Sequence, residues 1–173
     1  ARAYLSPRGL GARKLFVIDD VANLRPDFEG VLDAFNRLDL RYEFPNGLRA
    51  DRLTPGAIDR MRGRVSLLSL SAESANPRHL AGPIGKRQDP ESVRTAVALA
   101  AQAGLPTMVH YIIGFPWETP ADVNATLAMA WELFERHGAR PAVQFATPLP
   151  GTELWDRCVA MGLVAPQTAD SDP

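Results

Sequence analysis

Five short apolar runs punctuate this chain, and each stops in a polar or charged tip. Leu15 to Ile18 ends in Asp19 and Asp20, and Arg41 to Phe44 ends in Pro45, Asn46, Gly47 and Arg49. Val65 to Leu70 ends in Ser71, Ala72, Glu73 and Ser74. Met108 to Ile113 ends in Gly114 to Glu118, and Ala142 to Phe145 ends in Ala146, Thr147 and Pro148. The runs are nearly continuous rather than alternating, as parallel strands covered on at least one face require. Between them apolar positions recur at helical spacing. Pro26 suits a helix start, and Phe28, Val31, Leu32, Phe35 and Leu38 follow it along one side. A short second helix carries Leu53, Ala57, Ile58 and Met61 and stops at Gly63. Pro90 to Ala103 forms a third, with Val93, Ala96, Val97 and Ala100 as its buried stripe and Gly104 as its cap. Thr119-Pro120 opens a fourth, with Val123, Leu127, Ala130, Trp131 and Phe134 on one face and Gly138 at its end. Thr152 caps a last helix bearing Leu154, Trp155, Cys158 and Met161, which Gly162 closes.

The strands thus start near residues 15, 41, 65, 108 and 142, each followed by a helix. Every crossover is long enough for a right-handed parallel connection. The pattern predicts one α/β domain over 14–164. Residues 1–13 read as a lead-in loop or truncated connection, and 165–173 as a frayed polar tail. Parallel strands joined by helices bring their C-terminal ends to one edge, where ligands bind in barrels and open α/β sheets. The five tips are therefore expected to converge on one site.

Composition narrows the classes. A chain of 173 residues, 46% of them hydrophobic, suits one domain with a sizeable core. The net charge of −1, without a long single-sign run, gives no reason to expect nucleic acid or an anionic membrane as partner. No apolar stretch approaches the roughly 20 residues of a membrane span, and no signal-peptide pattern opens the chain, so a cytoplasmic protein is expected. The one cysteine, Cys158, rules out an internal disulfide framework and is expected to be buried and inert. The chain opens at Ala1 rather than Met and is expected to be part of something longer.

Each tip admits a chemical and a structural role. Asp19 and Asp20 could meet an ammonium group or a metal, or one could cap a turn. Arg49 could face a carboxylate or phosphate, although pairing with Asp51 or Glu43 is favoured slightly. Glu73, beside Ser74, is well placed to hold the two hydroxyls of a ribose. Gly114 lets a flat ligand approach the backbone, whereas Glu118 is expected to serve the following helix start. Thr147-Pro148 belongs to a rigid loop that presents backbone groups in a fixed orientation. His110 reads as a satisfied core histidine, and His79 and His137 as loop or helix-end residues. No convincing nucleophilic triad and no Gly-rich phosphate loop is present.

The motifs Phe16 to Asp20, Pro45 to Asp51, Leu70 to Ser74 with Lys86 downstream, Ile112 to Pro116 with Glu118-Thr119, and Thr147 to Leu154 come in a recognisable order. In that order the sequence resembles the radical S-adenosylmethionine (SAM) superfamily, in the branch whose members often carry a cobalamin-binding domain. The resemblance runs from about Lys14 to Leu163. It implies a partial (β/α)6 TIM-like barrel with helices outside, of which this chain supplies strands two to six. It also implies that Asp19 or Asp20 meets the methionyl amino group of SAM. Glu73 would sit at the ribose and methionyl end, with Arg49 and Lys86 near the carboxylate. Ile113, Gly114, Thr147 and Pro148 would border the adenine. In the intact protein a 4Fe–4S cluster, fed by an electron donor, would cleave SAM reductively to a 5′-deoxyadenosyl radical that attacks a small-molecule substrate, with cobalamin as a further possible cofactor. The family's Cys-x-x-x-Cys-x-x-Cys loop is absent, and one cysteine cannot replace three. The simplest account is that the chain begins just after that loop and does not turn over alone. Trp117 stands where the family commonly has a small residue, which could narrow the adenine side. Two other readings compete: a cluster-free module that binds SAM or another nucleoside, and an ordinary α/β enzyme using Asp20 and Glu73 as acid and base.

Overall fold

The computed structural model describes residues 12–165, so most of the lead-in segment and tail lies outside the described residues. Five parallel strands follow one another: β1 (Lys14–Phe16), β2 (Arg41–Glu43), β3 (Leu68–Glu73), β4 (Thr107–Ile113) and β5 (Arg140–Phe145). β1 pairs with β2, and β3, β4 and β5 form a second ladder in sequential order. Leu48, just beyond β2, bridges the two ladders. Its N–H donates to the Ser69 carbonyl at 2.8 Å, and its carbonyl accepts from the Ser71 N–H at 3.4 Å. The strand count, order and direction are those of a partial TIM-like barrel, as expected.

The helices are α1 (Phe28–Arg37), α2 (Pro55–Met61), α3 (Pro77–Ala81), α4 (Pro90–Gln102), α5 (Pro120–His137) and α6 (Glu153–Ala160). Their caps follow the sequence signals. Thr54, Asp89, Thr119 and Thr152 each accept from a backbone N–H of the first turn, and Gly104 and Gly138 end their helices at φ +70° and +67°. The Val93, Ala96, Val97 and Ala100 stripe of α4 is buried, as the spacing predicted. Between helices and strands lies a core containing Leu32, Tyr42, Met61, Leu70, Tyr111 and Leu133. Tyr42 donates its hydroxyl to the Arg60 carbonyl at 3.0 Å, and burial pushes the phenol up to about 12.

Four expectations need correction. α1 begins at Phe28, with Pro26 in the turn before it. β3 is displaced by three residues, because Val65 closes the preceding turn on the Met61 carbonyl, whereas Ser71 continues the ladder opposite His110. α3 was not foreseen; its signal is Asn76-Pro77, where the Asn76 side chain accepts from the Arg78 N–H. On α5 the buried stripe is Thr126, Met129, Ala130 and Leu133, while Leu127, Trp131 and Phe134 are 40%, 58% and 44% exposed. Two adjoining apolar stripes compete on that helix. The narrower one lies on the sheet because Thr126 satisfies its hydroxyl on the Asp122 carbonyl and also accepts from the Ala75 N–H.

Candidate functional site

A cleft of about 320 Å³ opens at the C-terminal ends of β1, β2 and β3, and Asp20, Arg49, Glu73 and Lys86 all line it. Local chemistry brings these residues together. Gly47 sits at φ +81°, so close to β3 that a Cβ there would stand 2.9 Å from Ser71 Oγ. Only glycine lets the β2 tip lean on β3 in this way. Asn46 ties the β1 tip to it, donating to the Ile18 and Asp19 carbonyls at 3.3 and 3.4 Å. Buried Asn23 clamps the Arg49 backbone from both sides, donating to its carbonyl at 2.8 Å and accepting from its N–H at 3.0 Å. The Arg49 guanidinium forks onto Asp51 at 2.9 and 3.0 Å, the pairing the sequence favoured slightly, and donates to the Arg87 carbonyl at 2.8 Å.

Glu73 reaches the cleft through a β-bulge between Ser71 and Glu73 and adopts φ +62°. A left-handed non-glycine residue costs on the order of 1–3 kcal/mol, and such strain clusters at functional sites. Lys86 Nζ donates to Glu73 Oε1 at 2.9 Å and to the Ser71 carbonyl at 3.3 Å. Gln88, which the sequence reading missed, donates to that same carbonyl at 2.9 Å, and its Oε1 is buried without a partner among the described residues. Gln88 acts through space from beyond α3, so no local pattern announces it.

The other expected residues lie elsewhere. Asp19 is exposed and its Oδ1 accepts from the Val21 N–H at 3.1 Å, which is the turn-capping role. Ser74 is fully buried, with its hydroxyl accepting from the Asn76 N–H at 3.1 Å and 3.5 Å from Thr126 Oγ1. Ser74 therefore supports the chain behind the cleft rather than facing it. Ile113, Gly114, Thr147 and Pro148 gather at the tips of β4 and β5, which the Ala146 N–H joins by donating to the Ile113 carbonyl at 2.8 Å. Gly114 has φ +83°, and a Cβ there would stand 3.3 Å from the Phe145 ring.

Two further expectations change. Glu118 does not serve the start of α5. Its carboxylate is 1% exposed, and Oε2 accepts from the Gly114 and Phe115 N–H groups at 2.7 and 3.0 Å, fixing the turn after β4. The N-terminus of α5 is instead held by Asp122 in a reciprocal cap with Thr119. Hydrogen bonds from the Thr119 hydroxyl and N–H, then from Asn76, hold the Asp122 carboxyl down at about 2. His110 is not a satisfied core histidine, since its Nε2 is buried without a partner among the described residues. It lies opposite Ser71 and Ala142 on the sheet face away from the buried Val109 and Tyr111. The two-residue period of β4 carried that signal.

Five sequential parallel strands, with a charged cleft at the C-terminal ends of the first three, have the arrangement in which barrel proteins bind ligands. The chain belongs to the radical SAM superfamily, whose family model matches residues 5–130. It is 40% identical over 92 residues to an uncharacterized methyltransferase of Pyrococcus horikoshii, a match covering 53% of this chain and 19% of that protein. The chain thus spans about a fifth of that relative. In fold it is similar to TsrM of Kitasatospora setae, a radical SAM methyltransferase whose structure has cobalamin and a 4Fe–4S cluster bound. The TM-score is 0.72 at 19% identity, over 87% of this chain and 32% of that one. It is also similar to the radical SAM enzyme coproporphyrinogen III oxidase (HemN) of Escherichia coli, with a TM-score of 0.56 at 18% identity, over 72% of this chain and 30% of that one.

Proposed function

We propose that this chain is the SAM-binding portion of a radical SAM enzyme, and that the intact protein transfers methyl groups. The observation that carries the reading is the cleft in which two carboxylates, Asp20 and Glu73, lie with two cations, Arg49 and Lys86. That donor and acceptor set fits the methionyl end of SAM, which presents an ammonium and a carboxylate together, and the two ribose hydroxyls beside it. Asp20, which lines the cleft, takes the amino group in preference to Asp19. Glu73 takes the ribose and amino end, Arg49 and Lys86 take the carboxylate, and Ile113, Gly114, Thr147 and Pro148 border the adenine. Lys86 must loosen its hold on Glu73 as the ligand enters, so the pair stores the site in a closed, neutral form. Methyl transfer is supported by the Pyrococcus horikoshii relative, and cobalamin by the branch the sequence resembles and by the likeness to TsrM.

A 4Fe–4S cluster would supply the electron that cleaves SAM. The residues of this chain do not fit it as ligands. Among the described residues no three His, Cys, Asp or Glu side chains stand where they could hold a metal, and Cys158 is buried on α6. What these residues contribute is binding, orientation and exclusion of water around the sulfonium.

The test is SAM affinity of the full-length protein, measured by calorimetry beside Glu73→Gln. The substitution should weaken binding about tenfold with thermal unfolding unchanged. Equal affinity in the two proteins would remove Glu73 from the site, and full-length protein prepared without oxygen that contained no iron would overturn the radical reading.

A further inference from the structure

Trp117 does not line the cleft of Asp20 and Glu73. Its ring stacks on Phe115 at 4.9 Å and 15°, and it opens onto a second cleft, of about 690 Å³, between α3, the loop after it and α6. The two clefts meet at Gly85, which lines both. The next residue along the chain, Lys86, holds Glu73 in the first cleft.

The unused bonding capacity of this second cleft is cationic and donating. Arg78 is exposed, and its guanidinium has no ion-pair partner among the described residues. Arg157 lies over the Trp117 ring at 5.3 Å and uses Nε and Nη2 on Glu153 at 3.1 and 2.6 Å. Its remaining N–H groups have no acceptor among the described residues. The Trp117 Nε1–H is buried without an acceptor among the described residues. Glu153, the one acid lining the cleft, is neutralised by Arg157. The Arg78 guanidinium and the unspent Nη1 group of Arg157, beside the Trp117 ring and with the lining carboxylate Glu153 already paired, suit an oxyanion.

We propose that this cleft binds the anionic end of the substrate, a carboxylate or a phosphate, and delivers the rest of the molecule past Gly85 toward the neighbouring site. The word substrate rests on the SAM reading above; the anion site itself does not.

The test follows the indole N–H resonance of Trp117, identified by its loss in Trp117→Phe, while the full-length protein is titrated with inorganic phosphate and, separately, with benzoate. A saturable shift is expected, and the tighter of the two anions names the source. The double variant Arg78→Gln, Arg157→Gln should weaken that anion at least about tenfold while SAM affinity, measured in parallel, stays unchanged. No saturable shift with either anion, or the same affinity in the double variant, overturns the proposal. Anion binding intact in a protein that does not bind SAM keeps the anion site and overturns its assignment to the substrate.

Discussion

Removing the Glu118 carboxylate should loosen the turn at the end of β4 more than its position in a loop suggests. The side chain is 1% exposed, and Oε2 alone accepts from both the Gly114 and Phe115 N–H groups at 2.7 and 3.0 Å. Hydrogen bonds to a charged acceptor are each worth about 1.5–3 kcal/mol net. Gly114 is exposed, so water recovers much of that bond after truncation, whereas the Phe115 bond is part-buried and is lost more fully. Desolvation works the other way, because Oε1 is buried with no hydrogen bond among the described residues and His79 Nδ1 lies 3.9 Å off. The two N–H bonds outweigh it, and Glu118→Ala should cost about 2–4 kcal/mol. Glu118→Gln keeps the accepting oxygen without the charge and should cost about 1–2 kcal/mol. Urea unfolding reads both as a lower midpoint at unchanged slope, and Glu118→Ala should lower Tm by roughly 5–10 °C. An alanine variant within about 0.5 kcal/mol of the parent, or more stable than it, would refute the reasoning.

Two more substitutions address neighbouring features. Gly114→Val places a β-branched residue at φ +83° with its Cβ 3.3 Å from the Phe145 ring, so unfolding in urea should show a loss of about 1–3 kcal/mol in the absence of any ligand; an unchanged midpoint would contradict the backbone geometry of the turn. Asp122 is held at about 2 in the folded protein, below the usual carboxylate value, so its contribution is fully present above about pH 4 and disappears as pH falls through about 2. Asp122→Asn should therefore flatten the acid limb of a stability-against-pH curve, and parallel curves for the two proteins would rule out the reciprocal cap as its source.

The order of elements was legible in the sequence because each is written in short-range chemistry. Helices α4 and α6 announce themselves through Asp89 and Thr152 at one end and Gly104 and Gly162 at the other, and the four small apolar residues of α4 repeat within one turn of each other. Asp20, Arg49 and Glu73 were legible as candidates because a polar residue that ends an apolar run in a parallel sheet lies at the ligand edge, whereas Lys86 follows no strand and was a candidate through the family resemblance alone. The choices made by packing were not legible. On α5 the Leu127, Trp131 and Phe134 stripe is the more hydrophobic, yet the sheet takes the stripe containing Thr126, because only the fold supplies Ala75 as a donor to that hydroxyl. Ser74 and Glu73 are adjacent polar residues, but the bulge in β3 turns Glu73 into the cleft and leaves Ser74 fully buried.

The sequence by itself determined a series of parallel βα units with charged tips, since periodicity and capping depend on residues three or four apart. Tertiary structure alone decided that Lys86 closes on Glu73, that Gln88 and Asn23 brace the cleft, and that Trp117 belongs to a second cleft meeting the first at Gly85. Those pairings span 13 to 26 residues, as with Lys86 and Glu73 or Arg49 and Asn23, and exist only once the strands have brought distant loops to one edge. No local pattern encodes a contact whose two halves are chosen by the packing between them.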